Sequence, residues 1–248
     1  MKYCVLTSGS KGNCTYIEIN NKKYLIDAGT NFLYISNKLK EIDIDIKDIE
    51  GIFITHCHDD HTSALKRIIK VVNPIIYITE KTKKELKIDL NNYILLEDNN
   101  VINNINIKTI KLSHDVADCR GYIFEYNKKS LVYITDTGYI NVKYNDYLYN
   151  KNAYIIESNH DVEMLMNSSR PYFLKMRILG DEGHISNKDC SYYLKQFVGN
   201  KTKNIVLAHL SENNNTQELA LEEINKNNFK CDINIALQNE RTEVFNIW

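Results

Sequence analysis

Six short apolar runs in this chain each end on a residue that can hold a proton or a metal ion. Leu25-Ile26 leads into Asp27, and Ile52-Phe53-Ile54 leads into His56. Ile105–Leu112 leads into His114, Ser130–Thr135 into Asp136, Ala153–Ile156 into Glu157 and Asn204–Ala208 into His209. Runs of this length, rich in β-branched and aromatic residues, read as buried strands. Rigid scaffolds present function at strand ends and in the loops that follow. The densest of these ends is ITHCHDDH, residues 54–61, which holds His56, His58, Asp59, Asp60 and His61, and so three of the chain's seven histidines. Neutral imidazole and carboxylate are ligands for zinc, manganese or iron. In an extended loop, positions two apart point the same way. His56 and His58 can therefore grip one ion, while Asp60 and His61 turn away and can reach a second.

The chain's length of 248 residues suits one large layered domain or two small ones. Strands with interposed helices, in two successive runs, fit two sheets face to face with helices outside, an α/β (α+β) arrangement. With only two prolines and nine glycines there is no flexible linker, so residues 1–248 are expected to form a single domain. Lys and Arg number 31 against 32 Asp and Glu, a net charge of −1. No global basic field draws in nucleic acid, and any such contact must come from a local patch. The six cysteines are scattered without a CxxC pair and read as reduced thiols of a cytoplasmic protein. MKYCVLTSGS fits a first strand better than a signal-peptide core. No apolar run approaches the roughly 20 residues of a membrane span, so membrane insertion is not expected.

Helical spacing is expected over 31–42, 64–72, 80–87, 187–198 and 216–224, and over 161–180 with a break at Pro171. Between the first two strands, SGSKGN at 8–13 offers hydroxyls and backbone N–H groups to a phosphate, as anion nests do. Ser8, Ser10 and Asn13 are thus candidate substrate contacts, with Lys11 adding charge; an ordinary turn is the competing reading. Arg170, Lys175 and Arg177 can track a phosphate backbone, or form a solvated helix face.

Taken together, the motifs resemble a known family. ITHCHDDH has the HxHxDH form of the metallo-β-lactamase superfamily, and His114, Asp136 and His209 follow in that superfamily's order. TSGSKGNCTYIEI, YLIDAG, ESNHDVEML, RILGDEGHISNKD and AHLSENNNTQELA are similar to the WalJ (YycJ, VicX) branch. Ribonuclease Z and cyclic phosphodiesterases are more distant likenesses. The resemblance implies a four-layer αββα sandwich with two divalent ions, Mn, Zn or Fe, of which Mn or Zn is favoured. His56, His58 and His114 would hold one ion. Asp60, His61 and His209 would hold the other, with Asp136 bridging. Ions roughly 3.5–4 Å apart can share a hydroxide that attacks phosphorus, and Asp60 can orient it. His184, in GDEGHISN, matches the histidine that ribonuclease Z-like enzymes set against the scissile phosphate, where it can act as a general acid. Asp27 is the natural partner behind a ligand histidine. Glu157, Asn159 and His160 are expected to line the cleft, with Glu157 or His160 supporting the site. All seven histidines would then meet at one cleft. Cys57, between the first two ligands, departs from the pattern, and its thiol is expected to point away from the metals.

The implied activity is a 5′-to-3′ exonuclease on double-stranded DNA. A small-molecule hydrolase (cyclic phosphodiesterase, lactonase or thioesterase) would use the same site. A regulatory binding protein with a vestigial site is a third reading, against which the intact ligand set argues. Oligomeric state is not readable.

Overall fold

The computed structural model describes residues 1–247. In chain order the first strands are β1 (Lys2–Thr7), β2 (Cys14–Ile19), β3 (Lys22–Ile26), β4 (Gly51–Phe53), β5 (Ile75–Ile78) and β6 (Tyr93–Leu95). Then come β7 (Asn99–Ile102), β8 (Ile105–Leu112), β9 (Cys119–Tyr126), β10 (Lys129–Ile134), β11 (Ala153–Glu157), β12 (Asn204–Ala208) and β13 (Asp232–Ile235). A last strand, β14 (Phe245–Asn246), returns to pair with β1. The helices are α1 (Phe32–Lys40), α2 (Asp59–Thr62), α3 (Leu65–Val71), α4 (Glu80–Glu85) and α5 (Asn145–Leu148). They continue with α6 (Val162–Asn167), α7 (Tyr172–Leu179), α8 (Asn187–Phe197) and α9 (Gln217–Asn225).

One sheet runs β14-β1-β2-β3-β4-β5-β6 and the other β13-β12-β11-β10-β9-β8-β7. Three apolar layers follow from the alternation of side chains along these strands. Tyr3, Ile17, Phe53 and Tyr77 of the first sheet meet Tyr122, Phe124, Leu131 and Ile155 of the second. The opposite face of the first sheet packs on Ile35 and Leu39 of α1 and Leu65 and Ile68 of α3. That of the second packs on Leu148 of α5, Leu194 and Phe197 of α8 and Ile224 of α9. The order is helix, sheet, sheet, helix, as expected. No helix among the described residues is long and apolar enough to cross a membrane.

β3, β4, β5 and β6 pair in parallel, as do β10, β11, β12 and β13. β8 runs antiparallel to β9, which runs antiparallel to β10, so β8 shares the direction of β10. The carboxyl ends of the site-bearing strands in each sheet therefore open toward one edge.

The break at Pro171 separates α6 from α7, and Ser186 caps α8 in a reciprocal capping box with Asp189. β4 is short because the Thr55 N–H leaves the ladder for the Asp27 carboxylate at 2.8 Å. β14 starts only at Phe245, since the Thr242 hydroxyl takes the Val5 N–H and leaves the ladder irregular.

Phe53 ties the sheets together. It stacks on Tyr77 at 4.5 Å and meets Phe124 edge-on at 5.1 Å. Phe53→Ala is expected to cost about 3–5 kcal/mol in urea unfolding. A loss below about 1 kcal/mol would show that the inter-sheet layer does not depend on this ring.

Candidate metal centre

The side chains that converge at this edge are delivered by sharp departures from the strands. Asp27 after β3, Asp136 after β10 and His209 after β12 have left-handed backbones, with φ of 60°, 59° and 55°. Asp, Asn and His tolerate this region better than most residues. The reversal drops Asp136 and His209 into the cleft just after their strands and sets Asp27 behind His61. The HxHxDH loop is clamped from below by Asn13 N–H to Asp60 O and Ala28 N–H to His61 O, each at 2.8 Å. Gly29 lies so close that a Cβ there would stand 1.6 Å from the Asp60 carbonyl oxygen.

Three groups of potential ligands result, the ligand atoms in each lying within 4.8 Å of one another. His56, His58 and His114 form one, Asp60, His61, Asp136 and His209 a second, and Asp136, Glu157, His184 and His209 a third that shares two members with the second. Asp136 faces the first two. Its Oδ2 is 3.2 Å from His61 Nε2, and its Oδ1 is 3.5 Å from His209 Nε2 and 4.0 Å from His114 Nε2. Asp60 Oδ2 lies 3.5 Å from His61 Nε2 and 3.9 Å from His209 Nε2. His56 Nε2, His209 Nε2 and Asp136 Oδ2 are buried without a hydrogen-bond partner. Such atoms are costly to bury unless something binds them. Orphaned imidazole and carboxylate atoms aimed at one another fit a pair of divalent cations.

The other ring nitrogens are committed. His61 Nδ1 donates to Asp27 Oδ2 at 2.8 Å, and the same carboxylate accepts both the N–H and the hydroxyl of Thr55. One oxygen of Glu157, Oε1, accepts from His209 Nδ1 at 2.8 Å and from His184 Nδ1 at 2.7 Å. Glu157 Oε2 accepts the Thr137 N–H at 3.0 Å. His114 Nδ1 lies 3.3 Å from the Gly183 carbonyl, to which it donates. A carboxylate or carbonyl behind each of these imidazoles fixes its tautomer and turns Nε2 toward the cleft.

The charges are strongly coupled. Burial opposes ionisation of Glu157, but His184 and His209 hold its carboxyl down at about 2. Burial would lower His209, yet Asp136 and Glu157 raise it to about 9. Burial, reinforced by His61, takes His56 well below the usual imidazole range.

Not every expected residue reaches the cleft. His184, Ser10, Arg170 and Arg177 line it, together with His58, Asp60, His114, Asp136 and His209. Ser8 and Asn13 lie underneath instead. The Ser8 hydroxyl accepts the His209 N–H at 2.8 Å, and the Asn13 amide bonds both ways with Gly9 and reaches His61 Nε2 at 3.0 Å. Most N–H groups of the 8–13 loop are already taken, which leaves only that of Ser10 for an anion. Gly9 donates to Asn13, Lys11 to Gln238 and Gly12 to the Gly9 carbonyl. Lys11 pairs with Glu212. Lys175 is buried and caps the Met166 and Ser168 carbonyls after α6, so it cannot track a phosphate backbone. His160 also departs from expectation. It is 1 % exposed, neither ring nitrogen has a partner, and burial lowers it to about 4. It supports the site through its backbone, its carbonyl accepting the Asn187 N–H. Six histidines, not seven, thus bring their rings to the cleft. The Cys57 thiol turns away to Glu85.

Sequence reasoning missed two neighbours. Asp115 places Oδ1 3.3 Å from His114 Nε2 and 3.7 Å from His58 Nε2, and pairs with Arg177. Its position directly after His114 was the available signal. Cys119, buried at the start of β9, sits 3.8 Å from His56 Nδ1, and nothing in the sequence marks it.

The sequence profile of the metallo-beta-lactamase superfamily matches residues 8–117. Exodeoxyribonuclease YycJ of Bacillus anthracis is 35% identical over 227 residues, covering 89% of this chain and 86% of that protein. Exodeoxyribonuclease WalJ of Streptococcus pneumoniae is 38% identical over 228 residues, covering 88% of this chain and 85% of that protein. The chain belongs to the YycJ/WalJ family of metallo-β-lactamase-fold proteins. A solved structure, the metallo-β-lactamase-fold protein YhfI of Bacillus subtilis, superposes with a TM-score of 0.75 at 16% identity. It covers 97% of this chain and 98% of its own, a likeness of fold. The family match supports divalent metal use, consistent with the two ligand clusters.

The Glu157–His209 pair makes metal-free stability pH-dependent. Glu157 is depressed from 4.5 to about 2, so its contribution is complete above 4.5 and is lost as pH falls toward 2. His209 is raised from 6.5 to about 9, so its contribution is complete below 6.5 and is lost as pH rises through 9. The metal-free protein should therefore gain most from the pair between pH 4.5 and 6.5. Glu157→Gln should cost about 3 kcal/mol in that window and flatten the decline toward pH 9, measured as Tm against pH for both proteins. Parallel profiles would contradict the pairing.

Proposed function

We propose that this chain is a metal-dependent nuclease, a 5′-to-3′ exonuclease on double-stranded DNA that hydrolyses phosphodiester bonds in the cytoplasm, with residues 1–248 acting as one domain. The observation that carries the reading is the pairing of two adjacent ligand clusters with an imidazole outside them, His184, on the same cleft wall. The names of the two relatives support DNA as the substrate.

In this reading His56, His58 and His114 would hold one ion and Asp60, His61 and His209 the second, with Asp136 within reach of both groups. The donor set is all nitrogen and oxygen, which suits Mn or Zn. Such ions, when bound, lower the pKa of water and neutralise phosphoryl charge. Everything else falls to the chain. Asp60, partly exposed on the cleft, accepts a hydrogen bond from the attacking water and orients it. His184 has its Nδ1 committed to Glu157, so Nε2 is the nitrogen that can deliver a proton to the leaving oxygen. Glu157 keeps that ring oriented and stabilises the charge on it. His184 also clusters with Asp136, Glu157 and His209. Because Glu157 Oε1 already accepts two N–H groups, we assign it to support rather than ligation.

The direct test is incubation with 5′-labelled duplex DNA and Mn²⁺. Mononucleotide release is expected. Turnover of bis(p-nitrophenyl) phosphate without nucleotide release would replace the DNA reading with the small-molecule one. His184→Ala should slow DNA hydrolysis by about 10²–10⁴-fold and leave the metal content, read by elemental analysis, near that of the wild type. The loss should be smaller with p-nitrophenolate, which leaves without a proton. Equal losses on both substrates would remove His184 from the acid role. Metal uptake should displace the His209 proton, so apparent affinity should rise with pH until about 9. Calorimetry in buffers of different ionisation enthalpy should show proton release, and its absence at pH 7 would contradict a protonated His209.

A further inference from the structure

The cleft has a volume of about 260 Å³, below the roughly 300–1,000 Å³ usual for ligand pockets. It admits a nucleotide-sized group rather than a stacked base pair. Its outer wall is helix α7, from which Leu174 and Ile178, one turn apart, face the cleft. Arg170, just before the helix, lines the same wall, and its Nε is buried without a hydrogen-bond partner. That is a donor left for an anion, whereas Arg177 is held by Asp115. Beside these groups α7 carries two consecutive aromatic rings in solvent, Tyr172 at 69% and Phe173 at 74% exposure. Phe173 does not itself line the cleft, but it lies one helical turn before Arg177, on the flank of α7 next to the residues that do. Met176 and Leu179 continue the exposed apolar surface behind it. Exposed apolar surface of this kind marks an interaction site.

On the nuclease reading above, we propose that Phe173, with Tyr172 beside it, is the stacking rim on which the terminal base of the DNA end rests once it is unpaired, while Arg170 holds the adjoining phosphate. Charge and shape agree on this occupant. A nucleic-acid end brings a flat aromatic face and an anion side by side, and the rim offers a ring and an unpaired guanidinium nitrogen in that arrangement. Base-on-aromatic stacking is sequence-tolerant, which suits an enzyme that must accept every end. An end that opens its last base pair to bring its phosphate into the cleft would find on the rim a surface to replace the lost stacking.

The test combines a map with a rate. Full-length protein is bound to a duplex carrying 5-iodouracil at its 5′ end, irradiated, and the cross-linked peptide is sequenced. The adduct is expected on Tyr172 or Phe173. In parallel, Phe173→Ala should lower the ratio of nucleotide release from duplex ends to bis(p-nitrophenyl) phosphate hydrolysis at least about fivefold, with Phe173→Trp restoring it. A duplex that already has an unpaired 5′ end should be less affected by Phe173→Ala. An adduct elsewhere, or an unchanged ratio in a wild type that does release nucleotides, overturns the stacking rim. A rim that instead joins two copies of the chain, seen as a wild-type dimer that Phe173→Ala dissociates without moving the ratio, overturns it as well. A wild type that hydrolyses the small diester but releases no nucleotides defeats the nuclease reading itself, a different result from either.

Discussion

The arrangement of the site rests on one oxygen atom. Glu157 Oε1, at the end of a strand buried along its length, accepts hydrogen bonds from two imidazoles at once. Through His209 it orients a ligand of the second cluster, and through His184 it orients the ring proposed as the acid. The other oxygen anchors to the backbone after Asp136, at Thr137. A buried carboxylate with fewer partners would be driven toward its neutral form. Here the surrounding donors keep it charged, and that charge in turn keeps the two rings in place. Asp27 orients His61 and Thr55 on the first sheet, although there burial wins and raises its carboxyl above the usual range. Each sheet thus contributes one buried carboxylate whose partners are the residues that face the cleft.

Much of this was readable before any coordinates. Six strand ends bearing Asp, His or Glu required a fold that collects those ends, and the two sheets collect them. HxHxDH places His56, His58, Asp60 and His61 by local spacing, whereas the parts of His114, Asp136 and His209 were legible only through the family resemblance. Glu157 and Asp27 were placed as supports by their strand ends and that resemblance. What could not be read was who satisfies whom. Whether Ser8, Asn13 and Lys175 face solvent or backbone depends on contacts between residues far apart in sequence, such as Ser8 with His209. A lysine on a helix looks solvated until the end of the neighbouring helix is seen to need its ammonium. His160 failed likewise. Nothing in the sequence showed that its ring would be buried with neither nitrogen partnered.

Charge is distributed to match. A chain with almost no net charge carries a dense local set of ionisable groups in and beneath one cleft, and most of them already answer one another. Arg177 answers Asp115, Lys11 answers Glu212, and Lys175 answers two carbonyls. Of the two arginines that line the cleft, this leaves Arg170, whose Nε has no partner.

The left-handed turns at Asp27, Asp136 and His209 have an implication for how substitutions at this site are interpreted. At each of these positions the residue supplies a functional group and also tolerates a conformation that alanine or valine resists. An alanine there removes the side chain and strains the hairpin of chain that carries its neighbours, so its effect combines chemistry with geometry. Asparagine keeps the backbone and changes only the chemistry, while glycine keeps the backbone and removes the group. Comparing those two, rather than reading alanine alone, separates what a residue does from where its strand end is allowed to point.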